Sequence, residues 1–559
     1  MTRVSESSAT SESPLMKVLG FVGDQIVIYD RERANIRYVK DTDLRAPVLV
    51  AIAGLDWLSQ NFPAAGNRGF DHIVAGDWLN RLAARRGHFD ESQVRGRGAS
   101  RVSGRLVFHA GDQLFTEAGI QSLTDIDDGI FPQAERLPIP SVEPATADEG
   151  ALVLRLAHGF CWEDRTSALL LAGWCAIAPL CGVMGWRPHL WITGGAGSGK
   201  TTILNEFVLP LLDGCGLFVQ GNTSEAGIRQ KLRQDALPIV MDEGEQSDDR
   251  ERGRMQDVVT LLRQSSSETG ARTLRGTAGG KAMDFRIRSM GCVASIQIGL
   301  HHQADLDRFC LLELRTAREG EAEQHAWRTH LSNLAVLRGN LPGKLRRRMF
   351  DGYGRIERSL PAFRTACLQE FGSARFADQY GTLLAGAWVL VNDEVATEQA
   401  AKEFMRRRDW TRRRPEREND DAQQAWSAML QALLWMNNKD YSVFELIRLV
   451  VDNKLARHTS VDAEEADRQL RNHGLIVRLE PDPVLLVGRG TKVAELLKNT
   501  PYRNDPAKLF ERLPGAERAG TQTFSGTTKR ATKVPLSMVD GLPGLGKPPK
   551  QKNRFHEDR

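Results

Sequence analysis

The amino-acid sequence predicts an α/β fold, in which a sheet carries a phosphate-binding loop between an α+β N-terminal domain and a C-terminal helical and winged-helix region. Three observations predict this. Residues 151–316 alternate apolar strand-like runs with helical patterns. Within that segment, the glycine-rich stretch Gly194–Thr201 lies between the strand-like HLWIT and the amphipathic TTILNEFVLPLL. A second apolar run, Leu237–Met241, ends in two adjacent acidic residues.

The length of 559 residues is too great for a single hydrophobic core and predicts several domains. The balance of 41% hydrophobic and 26% charged residues is ordinary for a folded domain, and a net charge of +4 restricts any nucleic-acid surface to a local patch. The expected divisions are a disordered tail at 1–13, an α+β domain at 14–134, a Pro-rich linker at 135–150, an α/β domain with the glycine-rich loop at 151–318, a helical domain at 319–422, a winged-helix-like domain at 423–540 and a disordered basic tail at 541–559.

The sequence predicts a cytoplasmic protein without a membrane span. Its seven Cys form no C-x-x-C pair, which argues against a zinc ribbon or a disulfide framework. Met1 is followed by a polar stretch, unlike a signal peptide. Ser167–Trp186 is uncharged and long enough to cross a bilayer. However, Pro179 interrupts it and only Arg187 and Pro188 separate it from the next strand, so we expect a helix buried beside the sheet.

The N-terminal region combines strands and helices. DQIVIYD and GRLVFHAGDQLF have the pattern of strands, whereas PVLVAIAGLDWLSQNF and HIVAGDWLNRLAARRG have that of helices. Between them, Val94–Ser100 reads VRGRGAS, a basic glycine loop. Two interpretations of this loop remain open at this point, namely an ordinary surface turn or a contact with the phosphate backbone of a nucleic acid.

The loop at residues 194–201 matches the pattern G-x-x-x-x-G-K-[ST], which binds nucleotide phosphates. Its glycines let successive backbone N–H groups turn toward a phosphate, and the following helix adds its positive N-terminal end. We expect Lys200 to reach the β- and γ-phosphates of ATP and the Thr201 hydroxyl to bind Mg²⁺. The predicted ATP-binding residues are Gly194, Gly195, Ala196, Gly197, Ser198, Gly199, Lys200, Thr201 and Thr202.

Polar residues also follow the next two apolar strands. Asp242 would bind Mg²⁺ through water, and Glu243 would polarise the attacking water, which makes the adjacent pair typical of an ATP hydrolase. The alternative is an acidic strand end at the surface. The strand at Met290–Leu300 carries Gln297, the first candidate to sense the γ-phosphate, with Ser295 as the second.

Arg308 follows Leu-Asp and leads into a further strand, in HHQADLDRFCLLEL. This position fits an arginine finger, which would reach the γ-phosphate bound by a neighbouring subunit and neutralise charge in the transition state. The alternative is an ion pair within the domain, with Asp305 or Asp307 as the partner.

An insertion before the sensor strand predicts a β-hairpin. Ala271–Ser289 contains two short strands around Ala-Gly-Gly. In a ring of subunits, such basic hairpins would line the pore and grip the phosphates of a DNA strand. The alternative is a structural hairpin that seals the subunit interface. The predicted DNA-binding residues are Arg272, Arg275, Lys281, Arg286 and Arg288.

Two segments near the C-terminus complete the pattern. Arg406–Asp421 is dense in charges and is expected to be a solvated helix face or a linker. Residues 424–490 predict three helices, QAWSAMLQALLWM, VFELIRLVV and AEEADRQLRNHGL, and then two strands around Glu-Pro-Asp-Pro. That order is typical of a winged helix, which would bind duplex DNA.

Taken together, these stretches resemble the primase–helicase proteins encoded by phages and prophages, whose motor is an AAA+-type ATPase akin to superfamily 3 helicases. The resemblance extends over most of the chain, including WRPHLWITGGAGSGKTT, TSEAGIRQKLRQDALPIVMDEGEQ, RIRSMGCVASIQIGLHHQADLDRF and FADQYGTLLAGAWVLVNDEVAT. It implies an ATP-dependent DNA helicase or translocase that forms a ring, as a hexamer, and acts in replication of a mobile element.

The sequence departs from that family in two respects. Residues 17–130 contain neither a zinc-binding Cys cluster nor a catalytic Asp-x-Asp set, so any priming is expected to come from a separate primase. Gln297 stands where the family has Asn. The competing hypothesis is a DNA-binding ATPase switch, an initiator or defence-type protein that assembles on DNA without unwinding it. A metabolic kinase explains neither the basic hairpin nor the winged helix.

Overall fold

The computed structural model describes residues 12–65, 69–242, 249–267, 273–276, 282–285, 287–296, 298, 300, 303–315, 321–413, 421–452, 461–498, 500 and 502–539. The chain divides into two compact units, Met1–Arg413 and Arg414–Arg559. The predicted tail at 541–559 lies outside the described residues, as do residues 1–11 of the other predicted tail. Ser13, which the sequence assigned to that tail, is buried and donates to the Ala53 carbonyl over 2.8 Å.

The N-terminal part of the first unit contains two antiparallel sheets and three helices. A single predicted helix over 47–62 is divided in two at Gly54, because a φ of +81° is incompatible with a continuing helix. The elements are β1 Met16–Val22, β2 Gln25–Asp30, β3 Asn35–Lys40, α1 Ala46–Ala53, α2 Leu55–Asn61, α3 His72–Arg86, β4 Gly98–Val102, β5 Arg105–His109, β6 Leu114–Thr116 and β7 Gly119–Gln121.

The centre of the first unit is a five-stranded parallel sheet, in agreement with the predicted α/β class. Four of its strands were predicted from the sequence, and the one at Leu217–Gln220 was not. Its strands are β8 His189–Gly194, β9 Leu217–Gln220, β10 Ile239–Asp242, β13 Gly291–Ala294 and β14 Phe309–Leu314, in the order β14-β8-β13-β10-β9. The short strands β11 Thr273–Gly276 and β12 Ala282–Phe285 form a separate antiparallel ribbon. Because parallel strands end at one edge, the loop after β8 and the acidic end of β10 share that edge.

Twelve helices of the first unit pack around this sheet in the part of the chain described here. They are α4 Ala147–His158, α5 Thr166–Ile177, α6 Lys200–Ile203, α7 Leu209–Leu212, α8 Glu225–Leu232, α9 Asp249–Ser265, α10 Gln303–Leu306, α11 Glu321–Asn333, α12 Leu341–Asp351, α13 Tyr353–Phe371, α14 Ala374–Val391 and α15 Glu398–Arg406. A single hydrophobic core joins residues from Ala99 to Trp410. The predicted linker at 135–150 ends inside α4, because Thr146 caps that helix together with Glu149.

The long apolar segment is a core helix, as predicted from the sequence. Thr166–Val183 is apolar and long enough to cross a membrane, and 89% of it is buried inside the protein. Within it, α5 packs against α14. The contact is close because a Cβ on Gly173 would lie 2.3 Å from the Leu383 carbonyl oxygen. Backbone approach at this distance accounts for the small residue in the middle of an otherwise bulky helix.

The second unit combines helices with a four-stranded antiparallel sheet in the order β17-β18-β20-β19. The helices at 443–451 and 463–472 and the two strands around Glu-Pro-Asp-Pro agree with the sequence prediction. The elements are α16 Asp421–Gln431, β15 Leu433–Met436, β16 Lys439–Ser442, α17 Val443–Val451, α18 Ala463–Asn472, β17 Leu475–Arg478, β18 Val484–Gly488, α19 Val493–Leu496, α20 Pro506–Leu509, β19 Glu517–Phe524 and β20 Thr527–Pro535.

One predicted helix of the second unit is too long. Residues 433–436 were expected to continue α16, but they pair with 439–442 as a hairpin. Asn437 and Asn438 connect the two strands with positive φ angles of +47° and +60°. Two consecutive residues in the left-handed region form the tight turn that favours a hairpin over a helix. The winged-helix assignment of this unit stays a prediction.

Candidate nucleotide site

The glycine-rich loop leaves β8 at the carboxyl edge of the sheet. Gly194 adopts a φ of +151°, and a Cβ there would lie 2.7 Å from the Leu314 carbonyl oxygen of β14. Gly197 and Gly199 also have positive φ angles, +74° and +96°. Gly199 directly precedes α6 as its N-cap residue. The turn from strand to helix therefore needs glycine at these three positions, because other residues are strained there.

Lys200 lies over the loop that it follows. Its Nζ donates to the carbonyl oxygens of Gly194, over 2.8 Å, and Gly195, over 2.9 Å. Partial burial lowers the pKa of Lys200, and the negative charge of Asp242 opposes that shift. The ammonium is thus held by neutral carbonyl groups at the loop, where a phosphate would be a stronger partner.

The residues at this edge fit a triphosphate and its Mg²⁺. Gly195 and Gly197 are exposed, and a Cβ on Gly197 would meet no atom within 4 Å, so the loop surrounds open space. The Thr201 hydroxyl is exposed at the start of α6. Asp242 is half-buried at the end of β10. Oxygen ligands of these two kinds are those that Mg²⁺ prefers. The roles assigned to Lys200, Thr201 and Asp242 stay predictions.

Two predicted catalytic residues, Glu243 and Gln297, lie outside the described residues. The second sensor candidate, Ser295, is placed. Its Oγ accepts a hydrogen bond from the Trp191 indole over 3.0 Å, and only 2% of the residue is exposed. The Ser295 hydroxyl therefore belongs to the packing between β8 and β13, which leaves Gln297 as the candidate for the sensor role.

Arg308 is half-buried just before β14. Two other arginines bind the acids considered as its partners, since Asp305 accepts from Arg263 over 3.1 Å and Asp307 pairs with Arg375. Burial lowers the pKa of Arg308, and the positive charges of Arg375 and Arg263 add to that shift. The negative charges of Asp307 and Asp305 oppose it, so Arg308 lies among charges of both signs. The arginine-finger role of Arg308 stays a prediction.

The predicted basic hairpin is described only in its strands. Thr273 pairs with Phe285 and Gly276 pairs with Ala282, which gives an antiparallel ribbon with Arg275 on β11. Arg272, Lys281 and Arg286 lie outside the described residues. Arg288 lies beyond the ribbon, half-buried at the wall of a cavity. Its environment therefore differs from that expected of an exposed residue on the hairpin.

The basic glycine loop at 94–100 is not an ordinary surface turn, and a contact with the phosphate backbone of a nucleic acid stays a prediction. Arg97 contacts Asp235 twice, through Nε at 2.9 Å and Nη2 at 2.7 Å, and its backbone N–H donates to the same carboxylate. A Cβ on Gly98 would lie 2.2 Å from the Ala236 carbonyl oxygen, and one on Gly96 would lie 2.3 Å from the Gln234 carbonyl carbon. The loop joins the N-terminal region to the segment before β10.

The arginine-rich segment is not solvated throughout its described residues. Arg406 and Arg407 are exposed, as expected for a solvated helix face. Arg413 is buried instead, and its Nε lies 2.7 Å from Asp164 Oδ2, just before α5. Its partner is 249 residues away in the chain. A pairing over such a separation leaves no local signal, so the sequence prediction for Arg413 was wrong. Residues 414–420 lie outside the described residues.

Comparison with known proteins gives similarities of low score. No protein-family model matches the chain, and neither does any curated protein sequence. Among solved structures, an active helicase, SCCmec type IV Cch, is 12% identical with a TM-score of 0.47, over 94% of both chains. The apo NrS-1 C-terminal region is 12% identical with a TM-score of 0.29, over 76% of this chain and 95% of that chain. At these scores neither similarity establishes the fold or the activity.

Proposed function

We propose that this protein is an ATP hydrolase whose site lies at the carboxyl edge of the parallel sheet. One observation carries the proposal: the loop with Lys200 and the carboxylate of Asp242 reach the same edge, from strands separated only by β13. ATP and Mg²⁺ would be held by the loop, Thr201 and Asp242. Glu243 follows Asp242 directly and would polarise the attacking water.

We further propose that ATP hydrolysis drives movement along DNA. The support is the position of the ribbon β11–β12, which is inserted between Asp242 and the next sheet strand and carries Arg275. A ring, proposed to be a hexamer, would place several such ribbons around one DNA strand, where their charges contact phosphates. The proposed role is a cytoplasmic helicase or translocase in the replication of a phage or mobile element, with a separate primase.

Strand displacement on a forked DNA duplex with ATP tests this proposal. Glu243→Gln should bind ATP but neither hydrolyse it nor unwind DNA, because the amide cannot polarise water as a carboxylate does. Arg275→Ala with Lys281→Ala should keep basal hydrolysis and lose unwinding. The matched control is Arg105→Ala with Lys231→Ala, which removes two exposed basic residues elsewhere in the first unit.

The outcomes separate the competing functions. Unwinding by the wild type but not by the ribbon variant supports the helicase. DNA-stimulated hydrolysis without any strand displacement supports the alternative, an ATPase switch that assembles on DNA. Normal unwinding by the ribbon variant would assign the ribbon a structural role, and ATP turnover by Glu243→Gln would overturn the role proposed for Glu243.

The proposed ring predicts that one site is completed by two subunits. Arg308→Ala and Lys200→Ala should each be inactive alone, since one lacks the arginine finger and the other the phosphate-binding lysine. Mixed together, they should recover part of the hydrolysis, because some interfaces then combine two intact halves. Clear oligomers without recovery in the mixture would place Arg308 in an intrasubunit role.

A further inference from the structure

A second cavity lies at the opposite edge of the sheet. Its volume is about 460 Å³. Its walls come from the segments that precede β8, β10 and β13, together with the basic glycine loop and helix α13. The nucleotide site occupies the carboxyl edge, whereas these segments enter the strands at their amino ends. The four residues of β10 alone separate the two edges by about 13 Å, at roughly 3.3 Å per residue.

The polar side of this cavity is positively charged. Arg95, Arg101 and Arg288 line it, and Glu357 is the one acid among its described lining residues. Arg101 donates to Glu357 over 2.8 Å and lies over the Tyr353 ring, 5.4 Å from its centroid. Three guanidinium groups and one carboxylate therefore stand among the described lining residues. A phosphate monoester carries about −1.5 to −2 at neutral pH, and guanidinium groups are suitable partners for it.

The remaining wall suits a ligand with an uncharged body. Val94, Met184, Ile356 and Leu360 supply apolar surface. Ser100 also lines the cavity. The volume lies in the range of about 300–1,000 Å³ typical of small-molecule sites.

We propose that this cavity binds a nucleoside monophosphate, either free or as the phosphorylated end of a nucleic-acid strand. The guanidinium groups of Arg95, Arg101 and Arg288 hold the phosphate, since their fixed donors suit its oxygens. The apolar wall packs against the base. The site requires neither ATP hydrolysis nor movement along DNA, so it stands independently of the proposed function.

Arg288 connects the cavity to the basic ribbon along the chain. Arg288 lies three residues after the last residue of β12, Phe285, and three before the first residue of β13, Gly291. A phosphate held by Arg288 would fix the segment that connects the ribbon to the sheet. A ligand bound in this cavity would therefore limit the movement of the ribbon where it joins β13, at the edge of the sheet opposite to bound ATP.

Titration calorimetry on the full-length protein tests the proposal. Saturating ADP and Mg²⁺ occupy the nucleotide loop, and dTMP, thymidine and inorganic phosphate are then titrated as probes. We expect dTMP to bind and thymidine to bind at least about tenfold more weakly, the effect of losing charge-assisted hydrogen bonds. Absence of dTMP binding, or equal binding of thymidine, overturns the proposal.

Substitutions of residues that line the cavity test whether dTMP binds there. Arg288→Gln should weaken dTMP binding about tenfold, and Arg105→Gln, an exposed arginine on β5, serves as the matched control. Gly185→Leu should also block binding, since Gly185 lines the cavity and a Cβ there would meet no atom within 4 Å. Melting temperatures verify folding. If Arg288→Gln does not fold, Gly185→Leu decides; wild-type affinity in a folded cavity variant places the site elsewhere.

A strand comparison identifies the source of the phosphate. Ten-nucleotide oligo(dT) is titrated with a 5′-phosphate and with a 5′-hydroxyl, again with ADP and Mg²⁺ present. A lower Kd for the phosphorylated strand, lost in Gly185→Leu, assigns the strand end. Equal Kd values together with dTMP binding assign the free nucleotide. No response to any of the phosphate-bearing probes contradicts the cavity assignment.

Discussion

Two glycine-rich basic loops of the first unit look alike in sequence and differ in structure. GGAGSGK at 194–200 and VRGRGAS at 94–100 both combine glycines with positive charge. In the first loop, Gly197 borders open space, and the Lys200 ammonium donates to two loop carbonyls and to the Ser198 hydroxyl, which are all neutral. In the second loop, Gly98 lies against the backbone of Ala236, and Arg97 is bound by a carboxylate.

The difference shows that glycine serves two distinct physical purposes. In the nucleotide loop, small residues keep space for a ligand and let backbone N–H groups face it. In the N-terminal loop, they allow two backbones to approach within a distance that any side chain would block. The positive residues of the two loops differ in the same way. Lys200 contacts neutral carbonyl groups and remains available to a phosphate, whereas Arg97 is neutralised by Asp235.

Removing the charge of the nucleotide loop should have the largest effect. Lys200→Ala is expected to reduce ATP turnover by about 10²–10³-fold, the cost of losing one positioned donor to a developing negative charge. The fold should survive, since Lys200 lies at the surface of the loop rather than in the core. Lys231→Ala, an exposed lysine on α8, is the control. Turnover equal to the wild type would contradict the site assignment.

Adding a methyl group to each loop should separate their roles. Gly98→Ala should lower the free energy of unfolding by about 2–3 kcal/mol, because the Cβ would lie 2.2 Å from a carbonyl oxygen at a φ of +102°. Gly197→Ala should cost only about 1 kcal/mol, the strain of its positive φ in open space, and should slow ATP turnover instead.

Calorimetric unfolding and steady-state ATP hydrolysis, measured on both glycine variants, make this comparison. The proposed division between the loops requires opposite patterns, with stability lost in one variant and activity in the other. Equal losses of stability in Gly98→Ala and Gly197→Ala would contradict the proposal that one glycine serves backbone packing and the other serves ligand binding.

The ion pair that fastens the N-terminal loop should contribute a smaller, measurable coupling. Arg97 and Asp235 are each about 12% exposed, so their attraction is only partly screened by water. A double-mutant cycle with Arg97→Ala and Asp235→Ala should give a coupling of about 1–2 kcal/mol in unfolding free energy. The exposed pair of Arg81 and Asp77 is the control and should give less than about 0.5 kcal/mol. Equal couplings would mean that the loop is held by packing alone.

The smallest expected effect is the pH dependence of the unfolding free energy that His189 causes at the amino edge of the sheet. His189 is fully buried between Gly291 and Leu262, and burial lowers its pKa to about 3. Because its folded-state pKa lies below the ordinary value of about 6.5, the unfolded chain binds the extra proton, and stability falls as pH drops below 6.5.

Between pH 8 and pH 6 this histidine should account for about 0.8 kcal/mol of lost stability. Urea unfolding at the two pH values measures it. His189→Asn should reduce the pH dependence by that amount, whereas His325→Asn, an exposed histidine on α11, should leave it unchanged. An identical pH dependence in wild type and His189→Asn would contradict a neutral buried imidazole.

The candidate nucleotide site was predictable because its signal is local. The loop, Lys200 and Thr201 are adjacent in sequence, and Asp242 ends an apolar run that is visible without a structure. The hairpin at 433–442 was missed because two Asn residues in the left-handed region outweigh the helical periodicity around them. Ser295 could not be assigned from the sequence, since its hydroxyl faces Trp191 on a neighbouring strand.

From the sequence alone, the strand before the loop at 194–200, the helix after it and the burial of α5 were predictable. These properties depend on short-range spacing and on apolar periodicity, which a chain carries in any single stretch. Only the tertiary structure decided that Arg97 and Arg413 serve packing and that Arg95, Arg101 and Arg288 line one cavity. Those roles depend on partners far away in the chain, and the attraction between charges is set by distance in space.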